Sequence, residues 1–268
     1  MNRTYLKVSQ SVRALVIFAI PLIFVCLVIN AAADEIPTTE GIVSYIGAQK
    51  KMFETGKAEG TLALHFFRDK KNMYAVGPAA LLDGEITIMD SRAHIAKVRG
   101  NDGNDYTVDN TLDHHALFLI WAQVPNWKDI PVPETVKTYV QFQRFVKEQA
   151  LASGLDITKP IPFQFYGTPV EIIWHINCNR TDNKPITREL FVRSKEIYTM
   201  KNEPVDVIGF YSEKHSGIFI SQFSPAIKPG SNEKNAVHMH MISRTTRATG
   251  HIDDMTFEKG MTLRLPVQ

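Results

Sequence analysis

The segment Ala236-Val-His-Met-His-Met-Ile-Ser243, with Thr249-Gly-His-Ile-Asp253 shortly after it, constrains this chain more than any other stretch. Successive side chains on a strand point to opposite faces, so His238 and His240 share one face while Val237, Met239 and Met241 fill the other. Arg244 to Gly250 is polar and ends in glycine, as a hairpin loop does, and a fold back there sets His251 on the neighbouring strand opposite His240. Three neutral imidazoles converging on one face are the donor set of a borderline-soft cation. Zinc, with positions left for water or substrate, is the expected ion. Other His-x-His arrangements fit worse: Met241 to Arg244 hold no carboxylate for a cupin-like site, and the pair lies about thirty residues from the end, not near the start as in an amidohydrolase barrel.

Residues 1–33 read as an export signal. Arg3, Lys7 and Arg13 make a positive start, Ala14 to Ile29 is an uncharged apolar run broken by Pro21, and Asn30-Ala-Ala-Ala33 offers a small-residue cleavage site. The run is shorter than the ~20 apolar residues that span a bilayer comfortably, so cleavage and release, periplasmic or secreted, are expected over membrane anchoring. The chain carries 30 basic and 28 acidic residues, and three of the basic ones belong to this leader. The remainder is close to neutral, which argues against nucleic acid or a membrane surface as partner. Of the two cysteines only Cys178 lies beyond the leader, so no internal disulfide is expected.

Along the remaining chain, Thr39 to Thr55 reads as a short helix and Thr61 to Phe67 as a strand. Asp83-Gly84 signals a tight turn before an alternating strand, in which Glu85, Thr87 and Met89 face one way and Ile86 and Ile88 the other. Ala93 to Val98 reads as the next strand. His114 and His115 are adjacent, so at most one could join a common site, and neither is expected to. Pro125 to Pro133 reads as a connector, and Glu134 to Ser153 as an amphipathic helix stopped at Gly154. Strands are then expected at Phe163–Tyr166, Val170–Asn177, Leu190–Ser194, Val205–Tyr211 and Gly217–Phe223.

Leu82-Asp-Gly-Glu85 before an alternating strand, Gly209-Phe-Tyr-Ser leading into Gly217-Ile-Phe-Ile, and His-x-His with a third His eleven residues on resemble the α-acetolactate decarboxylase family over about residues 55 to 265. The resemblance implies zinc on His238, His240 and His251, with Glu85 beside it. It implies an α+β fold of two packed, mostly antiparallel β-sheet systems: a mixed sheet with the helix near residue 140 within residues 34–160, and a barrel-like sheet presenting the metal within 161–268. The expected substrate is a small 2-hydroxy-3-oxo acid, acetolactate or one close to it, decarboxylated to acetoin and CO2; a homodimer is compatible with this reading.

The chain also departs from the family pattern. Pro78 stands where the family has an active-site threonine, and His175 where it has a substrate-binding arginine, for which Arg188 is the nearby substitute. The C-terminal stretch after His251 is short, with Glu258 a poor stand-in for a second metal-directed glutamate. These departures keep open a diverged exported relative that binds metal or a small molecule without releasing CO2, and an exported β-rich protein in which the histidines are incidental.

Overall fold

The structure is a computed structural model, and it describes residues 35–100, 105–223 and 234–267. The leader, and most of the loop before Asn235, lie outside the described residues. In chain order the strands are β1 (Thr38–Glu40), β2 (Val43–Ile46), β3 (Leu62–Ala63), β4 (Met73–Pro78), β5 (Glu85–Met89), β6 (Arg92–Arg99), β7 (Asp105–Asp109), β8 (His115–Ala116) and β9 (Leu119–Gln123). They continue with β10 (Trp127–Pro131), β11 (Ile161–Gly167), β12 (Glu171–Asn177), β13 (Lys195–Lys201), β14 (Val205–Tyr211), β15 (Val237–Ser243), β16 (Thr249–Thr256) and β17 (Thr262–Pro266). The α-helices are α1 (Gln49–Thr55), α2 (Tyr139–Ala152) and α3 (Arg188–Arg193).

Two large sheets pack face to face. The first runs β1-β2-β9-β4-β5-β6-β7 and the second β10-β17-β11-β14-β15-β16-β12-β13, while β3 and β8 form a small ribbon. Every ladder in the two large sheets is antiparallel, so the first is not the mixed sheet expected. The second stays open, with β10 and β13 at its edges, instead of curling into a barrel. Strands β4, β5 and β6 lie against β14, β15, β16 and β12, and the strands that carry His238, His240 and His251 face that interface. Apolar packing surrounds it: Val76, Phe118, Ile208, Phe210 and Phe219 fill the space between the sheets.

The opposite face of the second sheet is covered by α2. Thr138 caps this helix: its Oγ1 accepts from Gln141 N at 3.3 Å while Gln141 Oε1 accepts from Thr138 N at 3.1 Å. That reciprocal pair satisfies two otherwise unpaired backbone donors, which explains why the helix begins at Tyr139 and not at Glu134. Phe142 from α2 stacks on Phe257 with centroids 4.6 Å apart, and Phe165 meets it at 4.7 Å, in a core shared with Met239 and Met241. Removing a fully buried phenylalanine from such a core costs about 3–5 kcal/mol. The expected pairing of this helix with the first sheet therefore gives way to the second, whose methionine and phenylalanine face it covers.

Several local expectations change for identifiable reasons. Thr39 to Thr55 divides into β1, β2 and a helix of only seven residues closed by Gly56 at φ 71°. Thr61 to Phe67 is two strand residues and a 3-10 turn. The Pro125 to Pro133 connector contains β10, a sheet edge, where proline is tolerated. Leu190 to Arg193 belongs to a helix that Ser194 closes, because Thr187 Oγ1 accepts from Leu190 N at 3.2 Å and Glu189 and Arg193 occupy favourable ends. Gly217 to Phe223 forms turns, whereas β13 and β17, both unpredicted, are strands.

At Gly250 the β12–β16 packing leaves no room for a side chain. A Cβ there would lie 2.6 Å from the His175 carbonyl oxygen and 2.8 Å from the Trp174 ring. Gly250→Ala is expected to push these strands apart beside His251, lowering stability by about 1–3 kcal/mol. Thermal unfolding would check this, and a wild-type melting temperature would reject it.

Candidate metal centre

The hairpin forms as the sequence implies. β14 pairs with β15 and β15 with β16, and His240 lies directly opposite His251. The turn between them is locked by Ser243, whose Oγ accepts from Thr246 N at 2.9 Å, while Ser243 N donates to the Ala248 carbonyl at 2.8 Å. Ring centroids of His238, His240 and His251 are 4.8 to 5.4 Å apart. One donor nitrogen from each lies within 4.8 Å of the others.

His238 Nε2 and His240 Nε2 are 3.2 Å apart. A tetrahedral zinc ion with bonds of about 2.0–2.1 Å separates its ligand atoms by about 3.3 Å, so the His238–His240 pair has the spacing of such an ion, and the third donor lies within 4.8 Å of both. Burial also keeps the imidazoles neutral, as ligation requires. Desolvation drives His238 down to about 3, against the opposing effect of the Phe219 backbone. It takes His240 and His251 well below their ordinary value too, with the neighbouring imidazoles adding to the shift. His240 is oriented by Thr87 Oγ1, 3.1 Å from its Nδ1, and Thr249 Oγ1 donates to Thr87 Oγ1 at 2.9 Å. A partner on the far ring nitrogen is the usual way a ligating imidazole is aimed.

Glu85 comes from the first sheet. It is 2% exposed, and its Oε2 lies 3.5 Å from His240 Nε2. Its other oxygen accepts from Asn177 Nδ2 at 2.5 Å. Desolvation pushes the Glu85 carboxyl up to about 8, partly opposed by the Lys195 charge and the Asn177 hydrogen bonds. Glu85 is therefore not the exposed carboxylate that a strand's first residue usually is.

A fourth imidazole completes the row. His175 on β12 faces His251 across the ladder, with ring centroids 4.7 Å apart. Its Nδ1 is 2.7 Å from Asp253 Oδ2 and its Nε2 is 3.7 Å from Glu85 Oε1. His175, His251 and Asp253 form a second cluster with metal-ligand spacing. Asp253 is already committed to His175, so the three-histidine set is the better cation site. Desolvation acts to raise Asp253, but His175 and Lys195 outweigh it and hold the carboxyl below its ordinary value.

A cavity of about 60 Å³ opens on this cluster, with Glu85, His175, Asn177, Lys195, His238 and His251 among its walls. Pro78 also lines it, without the hydroxyl of a threonine. Arg188 does not reach it: that side chain is exposed, with its guanidinium 4.8 Å from the centre of the Phe223 ring. Glu258 is on the surface beside Lys137, and His114 pairs with Asp109 at 2.7 Å, outside the site. No sequence motif marks Thr87, Asn177, Lys195 or Asp253 as part of the site. Asp253 was the most accessible of these, since it stands two residues after His251 on the same strand.

No protein-family model matches the sequence, and no curated protein matches it. Three solved structures superpose on most of it. One is a Staphylococcus aureus protein of unknown function described as similar to α-acetolactate decarboxylase, at TM-score 0.62 and 13% identity, covering 84% of each chain. The second is α-acetolactate decarboxylase from Bacillus subtilis strain 168, at 0.61 and 13%, covering 84% of this chain and 85% of that one. The third is acetolactate decarboxylase from Bacillus subtilis subspecies spizizenii, at 0.61 and 14%, with the same coverage. The chain has the acetolactate decarboxylase fold. At these identities the likeness fixes the fold, and the chemistry rests on the residues in the cavity.

Proposed function

We propose that this protein is a zinc-dependent carboxy-lyase acting on acetolactate or a closely similar 2-hydroxy-3-oxo acid, releasing CO2 and forming acetoin. The observation that carries the reading is the meeting of His238, His240 and His251 with the buried Glu85 between two sheets. Zinc held by the three imidazoles would supply a Lewis acid for the negative charge left on the substrate oxygens as CO2 departs.

The protein's own groups account for the remaining requirements. Cleavage of the bond between the carboxylate carbon and C2 leaves its electron pair on the substrate as an enediolate, which one proton on carbon converts to acetoin. Glu85 Oε2, 3.5 Å from His240 Nε2, supports Glu85 as the group that handles that proton, while Asn177 holds the other oxygen. Thr87 keeps His240 aimed, and Asp253 keeps His175 in one orientation. Phe118, Phe191 and Phe219 close the apolar side of the cavity and limit water. The leader reading assigns this activity to the outside of the cytoplasm; among the described residues no helix is long and apolar enough to cross a membrane.

Acetoin formation from racemic acetolactate by the purified protein, with and without added zinc, tests the proposal. Zinc-stimulated turnover is expected, and none above a His238→Ala control rejects the activity. Pro78 and His175 in the cavity favour a second reading, a binding protein of the same fold that lost the reaction. It predicts stoichiometric zinc and ligand affinity without CO2.

A further inference from the structure

Lys195 is the first residue of β13 and lies across the ladder from Asn177. Its side chain enters the cavity wall with Glu85 and His175. Among the described residues its ammonium makes no hydrogen bond or ion pair, and its contact is the Phe191 ring, 4.9 Å from Nζ to centroid. A half-buried ammonium that has lost water without gaining an anion is costly. The charges of Glu85 and Asp253 offset part of that cost from a distance, against the larger desolvation that lowers the Lys195 pKa.

Asn177 offers the complementary deficiency. It is 3% exposed, and its Nδ2 is committed to Glu85 while its Oδ1 has no donor. A buried acceptor in that state costs free energy until a donor arrives. Lys195 and Asn177 both line the cavity, so an unpaired cation and a buried, unfilled acceptor belong to residues of the same wall. A molecule bearing a carboxylate and a neighbouring hydroxyl supplies both missing partners.

We propose that Lys195 and Asn177 form the subsite for a small 2-hydroxy carboxylate, with the ammonium gripping the carboxylate and Asn177 Oδ1 accepting from the hydroxyl. Lys195 thereby takes the part for which neither Arg188 nor His175 is placed: Arg188 is outside the cavity and His175 is held by Asp253. The assignment deepens the decarboxylase reading and rests on it for the identity of the natural substrate. A charge-assisted pair in a low-dielectric cavity is strong enough to set preference between an acid and its neutral amide.

The probes are 2-hydroxy-2-methylpropanoate, which lacks the 3-oxo group needed for decarboxylation, its amide, and 2-methylpropanoate. Calorimetric titration of the zinc-loaded protein is expected to show the hydroxy acid binding at least about tenfold tighter than its amide and tighter than 2-methylpropanoate. Lys195→Met is expected to erase the preference over the amide with zinc content unchanged, and Lys195→Arg to keep most of it; Lys195→Gln serves as a second uncharged variant should Lys195→Met not fold. A folded, uncharged variant that keeps the preference overturns the role of Lys195, as does a wild type that shows none. Equal affinity for 2-methylpropanoate overturns the hydroxyl contact. Acetoin assays keep the two readings apart. Carboxylate preference through Lys195 without acetoin removes decarboxylation alone, whereas acetoin from Lys195→Met at the wild-type KM removes Lys195 alone.

Discussion

On the proposed function, His251→Ala is expected to purify with less than about a tenth of the wild-type zinc and to form acetoin at least ~1000-fold more slowly, because a Lewis acid is worth several kcal/mol to a step that leaves negative charge on oxygen. The site has three imidazole donors, and His251 is the one delivered by the second strand of the hairpin. Its loss leaves two, and a missing ligand should cost more than the ~10–100-fold typical of an outer partner. His251 is a cleaner probe than His240, which is fully buried and bonded to Thr87. Truncating His240 would open a void and leave the buried Thr87 hydroxyl with Thr249 as its remaining side-chain partner, mixing loss of metal with loss of fold. Metal analysis alongside the acetoin assay reads both effects, and stoichiometric zinc in a folded His251→Ala protein would remove this histidine from the centre.

Glu85→Gln is expected to lose activity by about 10²–10⁴-fold while making the metal-free protein more stable in mild alkali. The sign follows from the direction of the shift. Burial raises the Glu85 carboxyl from its ordinary value near 4.5 to about 8 in the fold. Its contribution to stability is complete below about 4.5, declines as pH rises through that window, and is lost once the folded carboxyl ionises near 8. Glutamine keeps an oxygen for Asn177 and does not titrate, so the metal-free variant escapes this loss. The difference is on the order of a few kcal/mol at pH 8 and above. Thermal unfolding of both metal-free proteins between pH 5 and 9 measures it. Parallel curves would mean that Glu85 is not carrying a buried charge, and acetoin formation within tenfold of wild type would mean that it does not handle the proton. A variant that gains stability while losing function is the usual signature of a group strained for chemistry.

The local parts of this arrangement are legible in the sequence. Alternation in Val-His-Met-His-Met sorts imidazoles from methionines, and the polar run ending in Gly250 announces the turn that sets His240 opposite His251. Glu85 and Thr87 were readable as one face of a strand for the same period-two reason. Where local signals competed, the reading failed: Leu190-Phe-Val looks like strand material, yet the Thr187 cap makes it a helix. The Trp127–Pro131 edge looked like a connector because its prolines say nothing of the β17 partner that pairs with it.

Sequence alone determined that three imidazoles could share one cation, since hairpin register depends on a two-residue period and a short turn. Only the tertiary structure decided that Glu85 would meet them from another sheet, that Asn177 would hold it, and that Lys195 rather than Arg188 would line the cavity. Burial, and the electric field inside a closed interface, belong to surfaces that packing brings together. Neither is written in the order of residues along one strand.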